Sequence, residues 1–238
     1  MKKYSYKIDK DRQYEAMMRK RDWYLGNPMD SICFDFAVSG HKDRYNFIEK
    51  IEDSDKAVED ALSAITFMTE YYPDSDIYHC FNPYYLGEGM VPSMFGAQQY
   101  PVEDNPPYTK GRVISSLEEV PNLPRKINPE NDGWGPKLKE ACEKFLDAVN
   151  CDIPVGLCDV QSPYGVATKL IGNEDLMMGM YDEPELVHQL MDICTNAIID
   201  TAEAMLKWTK GHMVLNLRAP HRDCGIILWD DYLSVLSP

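Results

Sequence analysis

Apolar residues along the chain fall into helical stripes separated by short apolar runs. Tyr14, Met17, Met18 and Tyr24 lie among charges and predict a helix over residues 12–25, stopped by Gly26-Asn27-Pro28. Over 54–71, Val58, Ala61, Leu62, Ile65 and Met68 share one helical face, with Ser54 as the expected N-cap and Pro73-Asp74-Ser75 as the stop. Leu138, Ala141, Cys142, Phe145 and Leu146 repeat that pattern over 136–149. Ser162-Pro163 predicts a helix with serine as cap, proline in the first turn and Gly172 past its end. Asn173 starts a short helical turn. Asp182-Glu183-Pro184-Glu185 resembles a capping box opening a long helix to about Thr209, closed by Gly211. Strands are predicted over 32–38, 76–81, 154–160, 213–217 and 225–229. The 154–160 run is apolar except for Asp159, as in a strand covered on both faces. Strands and helices alternating through short turns predict an α/β protein with a parallel sheet.

Residues 83–134 break this rhythm. Eight of the chain's 16 prolines lie there, with Gly87, Gly89, Gly96, Gly111 and Gly133 between them. So long an irregular stretch within one domain points to a functional excursion with short pieces of structure, here expected over the mouth of the fold. A free linker is the alternative. Tyr84, Tyr85, Phe95, Tyr100, Tyr108 and Trp134 argue against it, because they need burial.

Composition narrows the partners. The chain has 238 residues, 39 Asp+Glu against 24 Lys+Arg, and a formal charge of -15. Such a surface repels phosphate backbones and anionic lipid, so neither nucleic acid nor a membrane surface is expected as partner. Seven irregularly spaced cysteines without a CxxC predict reduced thiols and a cytoplasmic protein. No apolar run approaches the about 18 residues of a membrane span, and the first residues lack the apolar core of a signal peptide.

An ordered series of motifs runs along the chain: Tyr85-Leu86-Gly87-Glu88-Gly89, Met94-Phe95-Gly96-Ala97, the 114–119 segment, Asp159-Val160-Gln161-Ser162-Pro163 and Leu170-Ile171-Gly172. Asp182-Glu183-Pro184-Glu185 and Trp229-Asp230-Asp231 with Leu236-Ser237-Pro238 complete it. The series resembles the uroporphyrinogen decarboxylase superfamily. The resemblance implies a (β/α)8 TIM barrel in a single domain, with residues 1–52 as a helical lead-in. It is expected to be incomplete at the C-terminus, since the pattern stops where a helix should follow the last strand. An open barrel exposes strand edges, so an oligomer or a completing partner chain is expected.

Two branches share that resemblance. The decarboxylase branch carries an Arg-Gln-Ala-Gly-Arg segment near its start and Gly-Ala-Pro-Phe-Thr after the central strand. Here Met17-Met18-Arg19-Lys20-Arg21-Asp22 and Asp159-Val160-Gln161-Ser162-Pro163 stand instead. The resemblance is therefore closer to corrinoid-dependent methyltransferases, which implies a corrinoid (cobalamin) carried by a partner protein. That branch uses zinc held by a His-x-Cys and a later Cys, and those ligands are not in this chain. Tetrapyrrole decarboxylation, or a truncated non-catalytic member that acts as a binding protein, are the alternatives.

Function in a barrel sits at the C-terminal strand ends. Asp159, Gln161 and Ser162 form such a set above a helix N-terminus, either recognising substrate or only capping that helix. Asp230 and Asp231 end the 225–229 strand and, with Asp159, are candidate catalytic carboxylates; for Asp230 and Asp231 a solvated turn or a helix cap is the plain alternative. His79, Tyr85 and Tyr164 are candidate substrate contacts, each also accountable as a structural residue. His221 and Cys224 lack the further ligands a zinc site needs.

Overall fold

The computed structural model describes residues 4–34, 38, 40–216, 220, 221, 224–226 and 228. The first helix, α1 (Lys10–Leu25), begins where the Asp9 carboxylate accepts from the Asp11 and Arg12 backbone N–H groups, and ends at Gly26 in the left-handed region. A short α2 (Phe47–Glu52) has a reciprocal capping box between Asn46 and Glu49. It runs directly into α3 (Ser54–Tyr71), which covers the span its apolar stripe predicts. Its cap is Asp53 rather than Ser54. The Asp53 side chain accepts from the Asp55 N–H, while the Ser54 hydroxyl donates to Glu140 at 2.8 Å.

The irregular stretch contributes α4 (Met90–Ser93) and an antiparallel hairpin of β1 (Gln98–Tyr100) and β2 (Tyr108–Lys110). It sends anchors into the core: Leu86, Met90, Val91 and Val120 are essentially inaccessible to solvent, while many residues between them are exposed. The Val113 and Ile114 N–H groups both donate to the Leu170 carbonyl, at 2.7 and 3.1 Å. The stretch closes on α5 (Gly135–Ala148), whose first residue must be small, because a Cβ on Gly135 would lie 1.8 Å from the Pro129 carbonyl oxygen.

The central sheet follows. β3 (Val155–Gly156) leads to α6 (Pro163–Ile171), α7 (Asn173–Asp182) and α8 (Pro184–Trp208), and then to β4 (Met213–Val214). β3 and β4 are parallel, with Val155 opposite Met213 and Gly156 opposite Val214. On the other side of β3, Phe81 bridges to Val155, also in parallel. The three strand segments are joined through helices, as parallel neighbours must be. Phe81 stacks on Phe145 of α5 at 4.8 Å between ring centroids, so that face of the sheet packs on the helix layer. Leu138, Phe145, Leu170, Leu190 and Met205 fill the space between.

The predicted strands are longer than the bonded ones. Of 76–81 only Phe81 is bridged, and of 154–160 only Val155 and Gly156 lie in a strand. Apolarity marks burial on both faces but does not fix how far the ladder extends. The 32–38 and 225–229 segments lie partly outside the described residues. The expected capping box at Asp182 does not form. Asp182 is the last residue of α7, and α8 opens at Glu183 with no side-chain cap and Pro184 in its first turn.

The N-terminal elements are joined to the rest by polar contacts. Asp76, buried, pairs with Arg19 and accepts from the Phe34 N–H at 2.8 Å. Asp60 accepts from the Tyr45 N–H at 3.0 Å and lies 3.5 Å from His41 and 3.7 Å from Lys50. The Tyr4 hydroxyl donates to Asp43 at 2.9 Å. Among the described residues, no helix is long and apolar enough to cross a membrane.

Candidate functional site

Past Gly156 the chain leaves the C-terminal edge of the sheet. Leu157 makes the last ladder bond, donating to the Val214 carbonyl at 3.0 Å. Five residues, Cys158 to Ser162, then turn the backbone into α6. Gln161 takes a left-handed conformation, φ 57°, which a side chain with a Cβ rarely adopts. The turn folds Gln161 back on Asp159: the Asp159 Oδ1 accepts from the Gln161 backbone N–H at 3.3 Å and from its Nε2 at 2.8 Å. The Ser162 hydroxyl oxygen accepts from the Gly165 N–H at 2.9 Å and so caps α6. Tyr164, buried in the first turn of α6, donates its hydroxyl to the Asn173 Oδ1 at 2.8 Å.

Gln161 is 3% exposed. Its Nε2 faces Asp159, and its Oε1 is buried without a hydrogen-bond partner. The opposite orientation of the carboxamide would set two acceptor oxygens face to face, so the chemistry of the pair fixes the amide as described. At the end of the neighbouring strand lies Asn216, 2% exposed, two residues past β4. The sequence reading passes over Asn216. The signal was available: it is a polar residue in the apolar run 213–217, just as Asp159 is in 154–160. The Cys158 thiol beside Asp159 is held well above its usual range by burial, so it is neutral at neutral pH and no thiolate is on offer there.

The structure brings Asp159, Gln161 and Ser162 together at one edge, turns the Tyr164 hydroxyl to Asn173, and leaves the other described candidates elsewhere. Tyr85 is buried beside α5, next to Phe81 and in a cleft shared with Lys137 and Glu140. Burial raises its hydroxyl far above the ordinary tyrosine range. His79 faces α1, in a small cavity of about 60 Å³ with Arg12, Gln13 and Thr69. A larger cavity of about 580 Å³ between α1 and residues 29–33 contains none of the strand-edge residues. Asp230 and Asp231 lie outside the described residues. Among the described residues, no three His, Cys, Asp or Glu side chains come together so as to hold a metal ion. The edge is therefore a set of hydrogen-bonding groups that can bind and orient a small polar molecule.

The family model for uroporphyrinogen decarboxylase (URO-D) matches residues 41–214. No curated protein matches. Among solved structures, the chain is similar to a methyltransferase from Methanosarcina mazei, with 18% identity and a TM-score of 0.61. The match covers 81% of this chain and 56% of the length of that one, and it is a likeness of fold.

Proposed function

The chain belongs to the uroporphyrinogen decarboxylase family, with that family's TIM-barrel type of fold, and on that premise we propose that it acts in methyl transfer between a corrinoid protein and a small thiol or other nucleophile. The observation that carries this proposal is the pairing of a methyltransferase-like fold with a carboxylate and a carboxamide at the C-terminal strand edge. That is where barrel enzymes place their chemistry. The methyl-corrinoid is the donor substrate. Asp159 receives the proton of the acceptor, while Gln161 and the first turn of α6 orient it. The acceptor's electron pair forms the new bond to the methyl carbon, and the leaving group keeps the electron pair of the bond that breaks.

The described residues supply no zinc ligand set, so no step is assigned to zinc. A cytoplasmic location goes with this proposal and is supported by seven free cysteines.

The test is spectroscopic. The chain is incubated with methylcobalamin and a small thiol, and loss of the methyl-cobalt absorbance is followed. Turnover that falls about a hundredfold or more in Asp159→Asn is expected for a group that moves a proton. Turnover indifferent to Asp159, or consumption of uroporphyrinogen in place of methylcobalamin, overturns the proposal.

A further inference from the structure

Gln161 carries two uncompensated costs at one position. Its backbone sits in the left-handed region, and one end of its buried carboxamide is unpartnered. Each is unfavourable in a folded chain, and buried polar groups are paired in nearly every folded protein. A residue of this kind is easily replaced by glycine or an apolar side chain unless the free acceptor has a use. The rest of the turn explains the backbone N–H, the Nε2 and the Ser162 cap, but it leaves the Oε1 without a partner. Gly165 lies beside that atom, and a Cβ there would come within 3.1 Å of the oxygen, so a larger residue at 165 would crowd it.

We propose that Gln161 is a specificity-determining residue, whose Oε1 accepts a hydrogen bond from an N–H or O–H donor group of the bound small molecule. Asp159 is its positioning residue. By taking the Nε2, the carboxylate turns the carbonyl end of the amide toward the ligand and prevents the flip that would present a donor instead. The ligand class is a molecule with a small donor head, an amine or a hydroxyl, and not a purely acceptor group such as a carboxylate or phosphate. A lone acceptor shielded from water discriminates strongly, because a ligand without the donor leaves it unpaired. The inference rests on this edge being the ligand site and does not depend on methyl transfer.

The experiment uses uniformly 15N-labelled protein and follows the side-chain amide cross-peaks of Gln161, assigned by their loss in Gln161→Met. Three probes are titrated: ethylammonium, ethanol and tetramethylammonium. The last is a cation with no N–H. Saturable shifts of the Gln161 cross-peaks with ethylammonium or ethanol, and none with tetramethylammonium, are expected. The arm that responds tells a charged amine from a neutral hydroxyl. Gln161→Met should weaken that binding about tenfold, the worth of one hydrogen bond to a buried acceptor, with little change in melting temperature.

Unmoved cross-peaks with all three probes overturn the proposal, as do equal shifts with tetramethylammonium. So does undiminished affinity in Gln161→Met, or a tightly held water that stays on the Oε1 at saturating probe. Through-bond correlation from the Gln161 backbone in 13C,15N-labelled protein gives the same assignment, so the wild-type signal does not require any variant to fold. Binding without methylcobalamin turnover would remove the methyl-transfer proposal and keep this one.

Discussion

Between α5 and β4 the interior is apolar: Leu138, Phe145, Leu170, Leu190 and Met205 are all sealed from water, and the ion pairs such as Lys169 with Glu88 lie toward the surface. Ahead of Phe81, α3 joins that core through its apolar stripe, while α1 and the loops beside it are joined through carboxylates. Asp76 ties the 30–34 segment to α1 through Arg19, Asp60 ties the loop before α2 to α3, and Asp43 holds Tyr4. The contrast follows from composition. The N-terminal helix alternates charges with a few large apolar residues, and Tyr14 and Trp23 remain well exposed. It cannot bury enough apolar area to dock by packing alone, so directional polar contacts fix it. The later helices carry wide apolar faces and need few such contacts.

The difference can be broken from either side. Phe145→Ala removes the ring stacked on Phe81 and should cost about 3–5 kcal/mol in urea unfolding, lowering the stability of the whole chain. Asp76→Asn leaves Arg19 without its buried counter-charge and should cost about 1–3 kcal/mol. Its effect should be concentrated in α1 and residues 30–34, read as faster amide exchange there while α8 stays protected.

Protons make the same cut. Burial alone would raise the carboxyl groups of Asp60 and Asp76. The contact of Asp60 with His41 and the ion pair of Asp76 with Arg19, together with backbone N–H donors, outweigh it and hold both below the ordinary range. That stability is present above the unfolded value of about 3.9 and is lost as pH falls through the lower folded values. Acid should therefore loosen the N-terminal elements first. Burial pushes the thiols the other way, Cys194 to about 12 and Cys142 also upward. Their contribution is complete below the unfolded thiol value of about 8.5 and is lost as pH rises toward the folded ones, so alkali should attack the packed half. Exchange protection of α1 and α8, followed across both limbs, checks the order. The smallest effect is local: Ser162→Ala removes the α6 cap and should cost about 1 kcal/mol.

Much of this architecture was legible in the spacing of apolar residues, because a helix that buries one stripe announces its period. The α3 stripe from Val58 to Met68 placed that helix correctly. Two kinds of feature were not legible. Asp76 gives no sign of burial in its own segment, since its partners Arg19 and Phe34 lie 57 and 42 residues away. Gln161 could be singled out as a polar residue after an apolar run, but its left-handed backbone could not, because glutamine is not a residue that signals such a turn. The Asn46-Glu49 capping box was written in the sequence at its usual spacing and belongs to a helix too short to show a period.

The pairing of Val155 with Met213 has a kinetic consequence. The two strands meet only after the entire length of α6, α7 and α8 has been looped out between them, so the entropy of closing that loop must be overcome before the ladder gains its first bond. Local helices form early and distant strands late. We expect the Leu157 amide, which makes the last ladder bond, to gain protection after the amides of α8 in pulse-labelled refolding. The strand edge bearing Asp159 and Gln161 would then be assembled last, and a chain arrested short of that step would hold its helices and lack its site.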